Sequence, residues 1–416
     1  MVCVLRDEGE EGDSMSDASA APDPTERLFS FETANDPHPT YHALLRECPV
    51  AHGYFGDHRS IVISRYEDVM WALRHPEFFS SAGGTVGVGA QPLIPVEVDP
   101  PRHTAYRRLL NPRFVPREIE KLEPEVRRLV CRLVDSFANS AGCDFHEDFS
   151  TPLPSGIFLS LMGLPAEDLP QFLRWRDDTI RPDVPPGDFE AAEVVRQRTA
   201  AAVNEYFKQA IGRRRNHPDG TLLSDIVAGT VEGEPLTETE LLGMSHLLLL
   251  GGLDTVTATL DCMIEFLAEH PAERQQLTMD EAAIPSAVEE LLRWASPVQV
   301  LPRIVAQHIE VGGVALEEGD RVTLVLGAAN CDPGMFEEGW DLTRSPNRHL
   351  AFGAGNHLCL GAHLARLEVR VALEEFHRRI PDYRIADGVE LSFSPGIRQA
   401  QTLPLVFETA GMAETV

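Results

Sequence analysis

Residues 238–271 carry a helical pattern whose middle has almost no polar face. At 1.5 Å per residue, a continuous helix of this length spans about 50 Å. A helix that is apolar nearly all round must be buried on every side, so this segment is predicted to pass through the centre of the protein. Ser245 and His246 interrupt its apolar run, which therefore falls short of the roughly 18–20 residues of a membrane span.

The middle of this predicted helix contains Gly251, Gly252, Asp254 and Thr255. Adjacent glycines weaken a helix by about 1 kcal/mol each, and a buried carboxylate is costly without a partner or a task. A helix that served only the core would not carry this combination. The segment is therefore a candidate functional site.

The remaining patterns predict one large domain that is mainly α with a minor β portion. Helical spacing covers most of 116–300 and resumes after Gly361, while a Pro- and Gly-rich meander covers 331–351. Neither a repeat nor a linker divides the chain. Strand patterns occur in three places, near residue 60, over 309–326 and near residue 404.

Charge and cysteine usage exclude several classes of partner and location. The net charge of −29 argues against nucleic acid and anionic membranes, since both would repel the protein. Residues 1–27 carry eight acidic residues against two arginines, so we expect a disordered acidic tail there, with Met15 as an alternative start, and the domain over 28–416. Seven cysteines without CxxC spacing and no signal peptide predict a cytoplasmic location.

The stretch FGAGNHLCLG, residues 352–361, places Cys359 in a glycine-rich turn before a predicted helix. Free N–H groups and the positive start of a helix stabilise a thiolate, and glycines let the backbone approach a flat group closely. The loop thus suits a thiolate that binds a large planar metal cofactor. Three alternatives remain open at this point: an ordinary turn with a buried cysteine, a zinc site with His349, His357 and His363, and a catalytic Cys–His pair.

Two further spacings carry chemistry. His103 and Arg107 lie four residues apart on one helical face and could hold an anionic group together. Glu290 and Arg293 lie three apart, which alone would indicate only a surface ion pair.

Together and in this order, these motifs resemble those of the cytochrome P450 family of haem-thiolate monooxygenases, over roughly residues 28–410. FGAGNHLCLG matches the family loop F-G-x-G-x-H-x-C-x-G at every fixed position, so the resemblance implies that Cys359 is the axial ligand of a haem b iron. Such a ligand donates electron density to the iron and favours O–O cleavage. Glu290 and Arg293 match the family's E-x-x-R element, with Arg344 as the implied third member of a structural ionic cluster.

The resemblance also implies roles for other residues. Asp254 and Thr255 would supply protons during oxygen activation, a task that suits a positioned carboxylate and hydroxyl. Gly251 and Gly252 would leave room for O2 beside the helix. The implied haem contacts, besides Cys359, are His103, Arg107, Arg303, Phe352, His357 and Gly361.

Within the family the chain is most similar to the bacterial camphor hydroxylase and its terpenoid-oxidising relatives. The resemblance implies hydroxylation of a small apolar substrate, a monoterpenoid or related terpenoid. Gln91 stands where the camphor enzyme has a tyrosine and Leu301 replaces an acid near a propionate, which argues against camphor itself. The candidate pocket residues are Gln91, Leu247, Leu250, Val256, Gln299, Val300 and Ile397.

The resemblance further implies electrons from NAD(P)H through an FAD-containing ferredoxin reductase and a [2Fe–2S] ferredoxin, because the 55 residues after Gly361 are too few for a fused flavin reductase. Arg107, Arg108 and Arg113 form a candidate docking patch. Two alternatives to an O2-dependent monooxygenase are a peroxygenase or dehydratase of the same fold, which commonly lacks the acid–alcohol pair, and a non-catalytic haem-thiolate gas or redox sensor, which would carry a signalling module.

Overall fold

The computed structural model describes residues 24–55, 58–83, 92–185 and 188–408, and helices dominate these ranges. The α-helices there are α1 (Pro24–Arg27), α2 (Phe31–Asn35), α3 (His38–Glu47), α4 (Tyr66–Arg74), α5 (Arg102–Leu110), α6 (Pro116–Glu120), α7 (Glu123–Phe137), α8 (Pro152–Met162), α9 (Leu169–Ile180), α10 (Phe189–Asn216), α11 (Leu222–Ala228), α12 (Glu238–Leu253), α13 (Thr255–Glu269), α14 (Pro271–Met279), α15 (Ile284–Ala295), α16 (Leu326–Ala329) and α17 (Ala362–Arg379). The strands there are β1 (Val50–Phe55), β2 (His58–Ile63), β3 (Phe79–Ser80), β4 (Gly142–Asp144), β5 (Thr230–Val231), β6 (Glu234–Pro235), β7 (Val300–Val305), β8 (Ile309–Val311), β9 (Val314–Leu316), β10 (Arg321–Val325), β11 (Arg384–Ile385) and β12 (Pro404–Val406). The predicted fold class, mainly α with a minor β portion, is confirmed.

The segment predicted as one long helix is two consecutive helices, α12 and α13, that meet at Asp254. A capping box starts α12, because the Thr237 side chain accepts from the Glu240 N–H and the Glu240 carboxylate accepts from the Thr237 N–H. At the junction the Thr255 hydroxyl donates to the Gly251 carbonyl at 2.9 Å. The prediction of an unbroken helix is wrong here, because a hydroxyl competes for a helix carbonyl where neighbouring glycines have already weakened the helix.

The α12–α13 pair passes through the core, as predicted. By length and composition the segment Glu238–Glu269 could cross a membrane, but 72% of its most apolar window is buried inside the protein. Its apolar side chains belong to the largest hydrophobic cluster of the described residues, for example Leu249, Leu253 and Leu260. Burial of this kind is what a core helix of a water-soluble domain shows.

The helices that carry the candidate motifs pack against this central pair. α13 contacts both α15 and α17, and α15 and α17 contact each other. α15 carries Glu290 and Arg293, while α17 begins three residues after Cys359. Residues 331–351, between α16 and the cysteine loop, contain no helix or strand, as predicted. The packing thus gathers the helix that carries Glu290 and Arg293 and the helix that follows Cys359 around α13.

The largest sheet has the strand order β1-β2-β10-β7-β3, in which β10 runs parallel to β2 and antiparallel to β7. The strand signals near residues 60 and 404 correspond to β2 and β12, and 309–326 contains the hairpin β8–β9 followed by β10. β7 was not predicted as a strand. It matters for the site because it carries Arg303 into the protein.

The boundary of the acidic tail needs a correction. Residues 1–23, the bulk of the predicted tail, lie outside the described residues. Residues 24–27 form α1, and Pro24 and Thr25 are buried. The folded part therefore includes these four residues, and the predicted domain start at 28 is too late.

Candidate functional site

The cysteine loop, residues 352–361, packs against the end of α4 and leads into α17. Gly355 has a φ of +67°, and a Cβ there would lie 2.3 Å from the Leu73 carbonyl oxygen. Only glycine permits this left-handed backbone together with so close an approach. The Cys359 N–H donates to the Phe352 carbonyl at 2.9 Å, which closes the loop around the cysteine.

The Cys359 thiol lies among protein groups yet remains reachable by solvent. The residue is exposed, whereas the other described cysteines are buried or half-buried. Burial raises the pKa of the thiol, while a hydrogen bond from the Gly361 N–H and the guanidinium groups of Arg107 and Arg366 act in the opposite direction. These groups, and the start of α17, are the partners that a bound thiolate requires.

The zinc alternative finds no support in the described part of the chain, where no cluster of three or more His, Cys, Asp or Glu side chains is placed to hold a metal ion. His349, a candidate ligand of that zinc site, is hydrogen-bonded instead to Glu289, with 3.1 Å between Nε2 and Oε2.

Four basic side chains meet beside the loop: His103, Arg107, Arg303 and His357. The rings of His103 and His357 lie 4.1 Å apart between centroids. Burial and the nearby Arg107 lower the pKa of His103 to about 4, and burial, His103 and the two arginines lower the pKa of His357 to about 3. Burial also lowers the pKa of Arg303 to about 10, against the opposing charge of Asp99. The cluster therefore combines several donors with little compensating negative charge.

This cluster fits the haem that the sequence resemblance implies. Both ring nitrogens of His103 and Nε2 of His357 are buried and have no hydrogen-bond partner among the described residues. Buried polar groups are ordinarily satisfied, so the cluster matches an anionic group with several acceptor oxygens, as haem propionates provide. Arg107 also serves the loop itself, because its Nη1 donates to the Leu358 carbonyl at 3.0 Å.

The two central glycines face different surroundings. A methyl group on Gly251 would meet no atom within 4 Å, and this glycine is exposed. A methyl group on Gly252 would lie 2.9 Å from Cδ2 of Phe158. The expectation that both glycines leave open space is wrong for Gly252, because Phe158 fills its side of the helix. The open side of the central helix is at Gly251, one turn from Thr255.

Asp254 does not present a free carboxylate. It is fully buried, and Arg181 donates from Nη2 to Oδ1 at 2.6 Å and from Nη1 to Oδ2 at 3.4 Å. Nε of Arg176 lies 3.9 Å from the same carboxylate. The cost of burying this acid is therefore offset by two arginines, Arg176 on α9 and Arg181 directly after it.

Glu290, Arg293 and Arg344 form the ionic cluster that the sequence predicts. Arg293 donates to both Glu290 oxygens at 2.7 and 2.8 Å, and Nε of Arg344 lies 3.1 Å from Oε2. Arg293 also donates to the carbonyl of Asn330, directly before the meander, and to that of Gly339 within it. The cluster thus fixes the meander, which leads to the cysteine loop, against α15.

Comparison with known proteins decides the family. The cytochrome P450 family model matches residues 184–379. A steroid C26-monooxygenase of Mycobacterium tuberculosis is 35% identical over 354 residues, which cover 83% of this chain and 94% of the relative. The chain belongs to the cytochrome P450 family. It is accordingly a monooxygenase whose cofactor is haem with an axial cysteine thiolate, and the cofactor supplies the oxygen chemistry when bound.

Other relatives and solved structures resemble this P450 over most of its length. Cytochrome P450 130 of Mycobacterium tuberculosis is 35% identical over 384 residues, covering 87% of this chain and 92% of the relative. A solved structure of a P450 EryK mutant with erythromycin B has a TM-score of 0.83 at 30% identity, covering 92% of this chain and 99% of that one. CYP109E1 from Bacillus megaterium with testosterone has a TM-score of 0.83 at 29% identity, covering 91% and 100%.

The candidate pocket residues of this P450 divide into two groups. Leu247, Leu250 and Ile397 are half-buried and thus partly reachable from solvent. Val256 and Val300 are buried within hydrophobic clusters. Both valines are thus core residues, and their place in the wall of a substrate pocket stays a prediction. Gln91 lies outside the described residues.

Gln299 is also not a free pocket amide. Its Nε2 donates to the Tyr41 hydroxyl at 2.9 Å, and its Oε1 accepts from the Gly396 N–H at 2.9 Å. Both ends of the amide are thus used inside the protein. Val298, one residue before it in the sequence, is half-buried and bridges to Ile397.

Sequence reasoning missed Arg181 and Glu289. Arg181 lies 73 residues before Asp254 in the chain, so no local spacing connects them. Glu289 directly precedes the E-x-x-R glutamate, and its adjacency to that motif was the one available signal.

Proposed function

We propose that this P450 hydroxylates an unactivated C–H bond of a neutral apolar terpenoid, with steroids as the first class to test and monoterpenoids as the second. In this proposal Cys359 is the axial ligand and His103, Arg303 and His357 bind the propionates. The observation that carries it is the exposed Cys359 beside buried, unpartnered histidine nitrogens. These features match the thiolate and propionate ends of one haem.

Two observations support the substrate class. Leu247 and Leu250 are half-buried apolar residues on the same helix as the open side at Gly251, and an apolar wall suits a neutral apolar ligand. Curated and solved relatives point to steroids: one is a steroid C26-monooxygenase, and CYP109E1 was solved with corticosterone and with testosterone. Steroids are larger than the monoterpenoids expected from the sequence.

Proton supply is proposed for Thr255 and Asp254. The half-buried Thr255 hydroxyl donates to the Gly251 carbonyl at the open side of the helix. In this proposal it orients a proton donor there. Asp254 is paired with Arg181, so it must leave this ion pair before it exchanges protons with solvent. The presence of both residues favours an O2-dependent monooxygenase over a peroxygenase, a dehydratase or a sensor.

Electrons are proposed to come from NAD(P)H through an FAD-containing reductase and a [2Fe–2S] ferredoxin, with the cytoplasm as the location. Arg74 and His363 are exposed beside the cysteine loop, and Leu358 is 47% exposed within it. Arg108, also expected in this patch, is exposed on α5. Positive charge around an exposed apolar residue suits an acidic ferredoxin. Arg113, expected in this patch, is instead paired with Asp225.

The haem ligand is tested by the spectrum of the dithionite-reduced CO complex. We expect the wild type to absorb at the position typical of thiolate-ligated haem and Cys359→Ser to lose this band. Cys331→Ser, at a half-buried cysteine outside the loop, is the matched control and should keep it. Persistence of the band in Cys359→Ser would refute the site assignment.

The substrate class is tested by titrating the ferric protein with testosterone, corticosterone and a panel of monoterpenoids. A shift of the Soret band to high spin by a steroid, followed by a product that contains one atom from isotope-labelled O2, would support the proposal. A response only to monoterpenoids would move the substrate to the smaller class. No response from either panel would discard the terpenoid class and leave the monooxygenase assignment intact.

A further inference from the structure

Glu289 lies next to the ionic-cluster glutamate on α15 but binds a different set of side chains. Arg366 of α17 donates to it from Nε at 2.6 Å and from Nη2 at 2.7 Å. His349 Nε2 lies 3.1 Å from Oε2. Although burial opposes it, these partners lower the pKa of Glu289 to about 2. The carboxylate is therefore a stable anion that joins α15, α17 and the meander.

His349 provides the first connection between the Glu289 carboxylate and the cysteine loop. The Ala351 N–H donates to Nδ1 of His349 at 3.1 Å. A neutral imidazole that accepts at Nδ1 carries its proton at Nε2, so Nε2 donates to Glu289. The His349 side chain is only 3% exposed. Glu289 thereby fixes the tautomer that holds the backbone just before Phe352.

Arg366 provides the second connection between the Glu289 carboxylate and the cysteine loop. Its guanidinium carbon lies 4.4 Å from the centroid of the Phe352 ring, a cation–π contact. The Phe352 carbonyl accepts the Cys359 N–H. Arg366 thus packs on the residue whose carbonyl accepts the Cys359 N–H, and Glu289 is its counter-ion.

We propose that Glu289 is a positioning residue that sets how strongly the Cys359 thiolate donates electrons to the haem iron, by holding Arg366 over Phe352 and balancing its charge. The inference rests on the proposed role of Cys359 as the axial ligand. On this inference, removing either member of the Glu289–Arg366 pair changes electron donation by the thiolate in a predictable direction. Loss of the anion leaves an unbalanced cation beside the cysteine loop, while loss of the cation leaves an unbalanced anion there.

The test compares Glu289→Gln with Arg366→Gln in haem-loaded protein, by redox titration and by the CO stretching frequency of the reduced CO complex. Glu289→Gln should favour the reduced iron and raise the CO stretching frequency, because the thiolate donates less. Arg366→Gln should favour the oxidised iron and lower that frequency. At a fixed applied potential, each of the two substitutions should alter the ratio of reduced to oxidised protein by about threefold to tenfold, the size expected when one unit charge near the haem loses its counter-charge.

Two further variants separate charge from structure. Glu289→Asp keeps the charge and should restore a ratio close to that of the wild type. Glu374→Gln is the control for removing an anion elsewhere. Glu374 pairs with Arg370 on α17, the helix of Arg366, and also with Arg127 of α7. This variant should leave the ratio of reduced to oxidised protein unchanged. If Glu289→Gln takes up no haem, Arg366→Gln still tests the sign of the shift, and Glu289→Asp tests whether the charge alone maintains the wild-type ratio.

Shifts in the same direction for Glu289→Gln and Arg366→Gln, or no shift in either, would overturn the inference. A purely structural role would lower haem content or stability without opposite shifts. The failure of the proposed function is recognised separately, because the wild-type CO complex would then lack the band of thiolate-ligated haem.

Discussion

Replacing Gly251 and Gly252 separately with alanine tests whether the central helix has a single open side. A methyl group at 251 meets no atom within 4 Å, whereas at 252 it would lie 2.9 Å from Cδ2 and 3.3 Å from Cγ of Phe158. Both glycines belong to the last turn of α12, so the gain in helix propensity of about 1 kcal/mol is common to both. The difference between the two variants therefore isolates the contact with Phe158.

The expected size of this difference follows from overpacking. Forcing a methyl group into a filled site typically costs about 1–3 kcal/mol. We expect the free energy of unfolding of Gly252→Ala to be lower than that of Gly251→Ala by about this amount. Gly251→Ala should match the wild type or exceed it by up to about 1 kcal/mol. Urea unfolding of the haem-loaded protein, followed by far-UV circular dichroism, measures both values.

The same pair of variants separates stability from ligand binding. Gly251→Ala places a methyl group in the open space near Thr255, so the steroid-induced Soret shift should weaken although the protein remains stable. Gly252→Ala should retain the shift while it remains folded. Equal destabilisation by the two substitutions, or loss of the shift only in Gly252→Ala, would refute the assignment of the open side to Gly251.

Two further predictions concern buried charges. Glu290→Gln should lower the free energy of unfolding by about 3–5 kcal/mol in urea titrations, because it leaves the buried Arg293 without its anion. Asp261→Asn should destabilise the protein more near pH 6 than near pH 9, measured from urea midpoints. Burial lowers the pKa of His146, but the hydrogen bond and charge of Asp261 outweigh it and raise this pKa above its usual 6.5. The stability that the pair contributes is therefore complete below about pH 6.5 and is lost as the pH rises through the raised pKa.

Exposed pairs serve as controls for both predictions. Asp387→Asn breaks a pair with Arg384 whose side chains are 88% and 53% exposed, and should cost less than about 1 kcal/mol. A loss that small in Glu290→Gln would contradict the burial argument. Glu317→Gln removes the exposed partner of His308 and should show no comparable pH dependence. The pH argument fails if the deficit of Asp261→Asn is the same at both pH values.

Short spacings in the sequence predicted the parts of this P450 that local geometry sets. α10, Phe189–Asn216, lies within the region 116–300 where the sequence has helical spacing. Glu290 and Arg293 meet because residues three apart share one face of a helix. The loop glycines were expected to let the backbone approach a flat group, whereas Gly355 lies against the Leu73 carbonyl.

The sequence did not predict side-chain contacts between segments that are distant in the chain. Gln299 was expected in the pocket, but Tyr41, 258 residues earlier, binds its amide. Glu289 meets Arg366 across 77 residues. No periodicity connects such positions, because their proximity depends on how complete helices pack.

The sequence by itself determined the fold class, the family and the chemistry of the cysteine loop, because these depend on residue types at short, fixed spacings. Only the tertiary structure decided which side of the central helix is open and which partner each buried charge receives. A helix pattern states which residues share a face, but the neighbour that packs against that face comes from elsewhere in the chain. Phe158 beside Gly252 and Arg181 beside Asp254 are such neighbours.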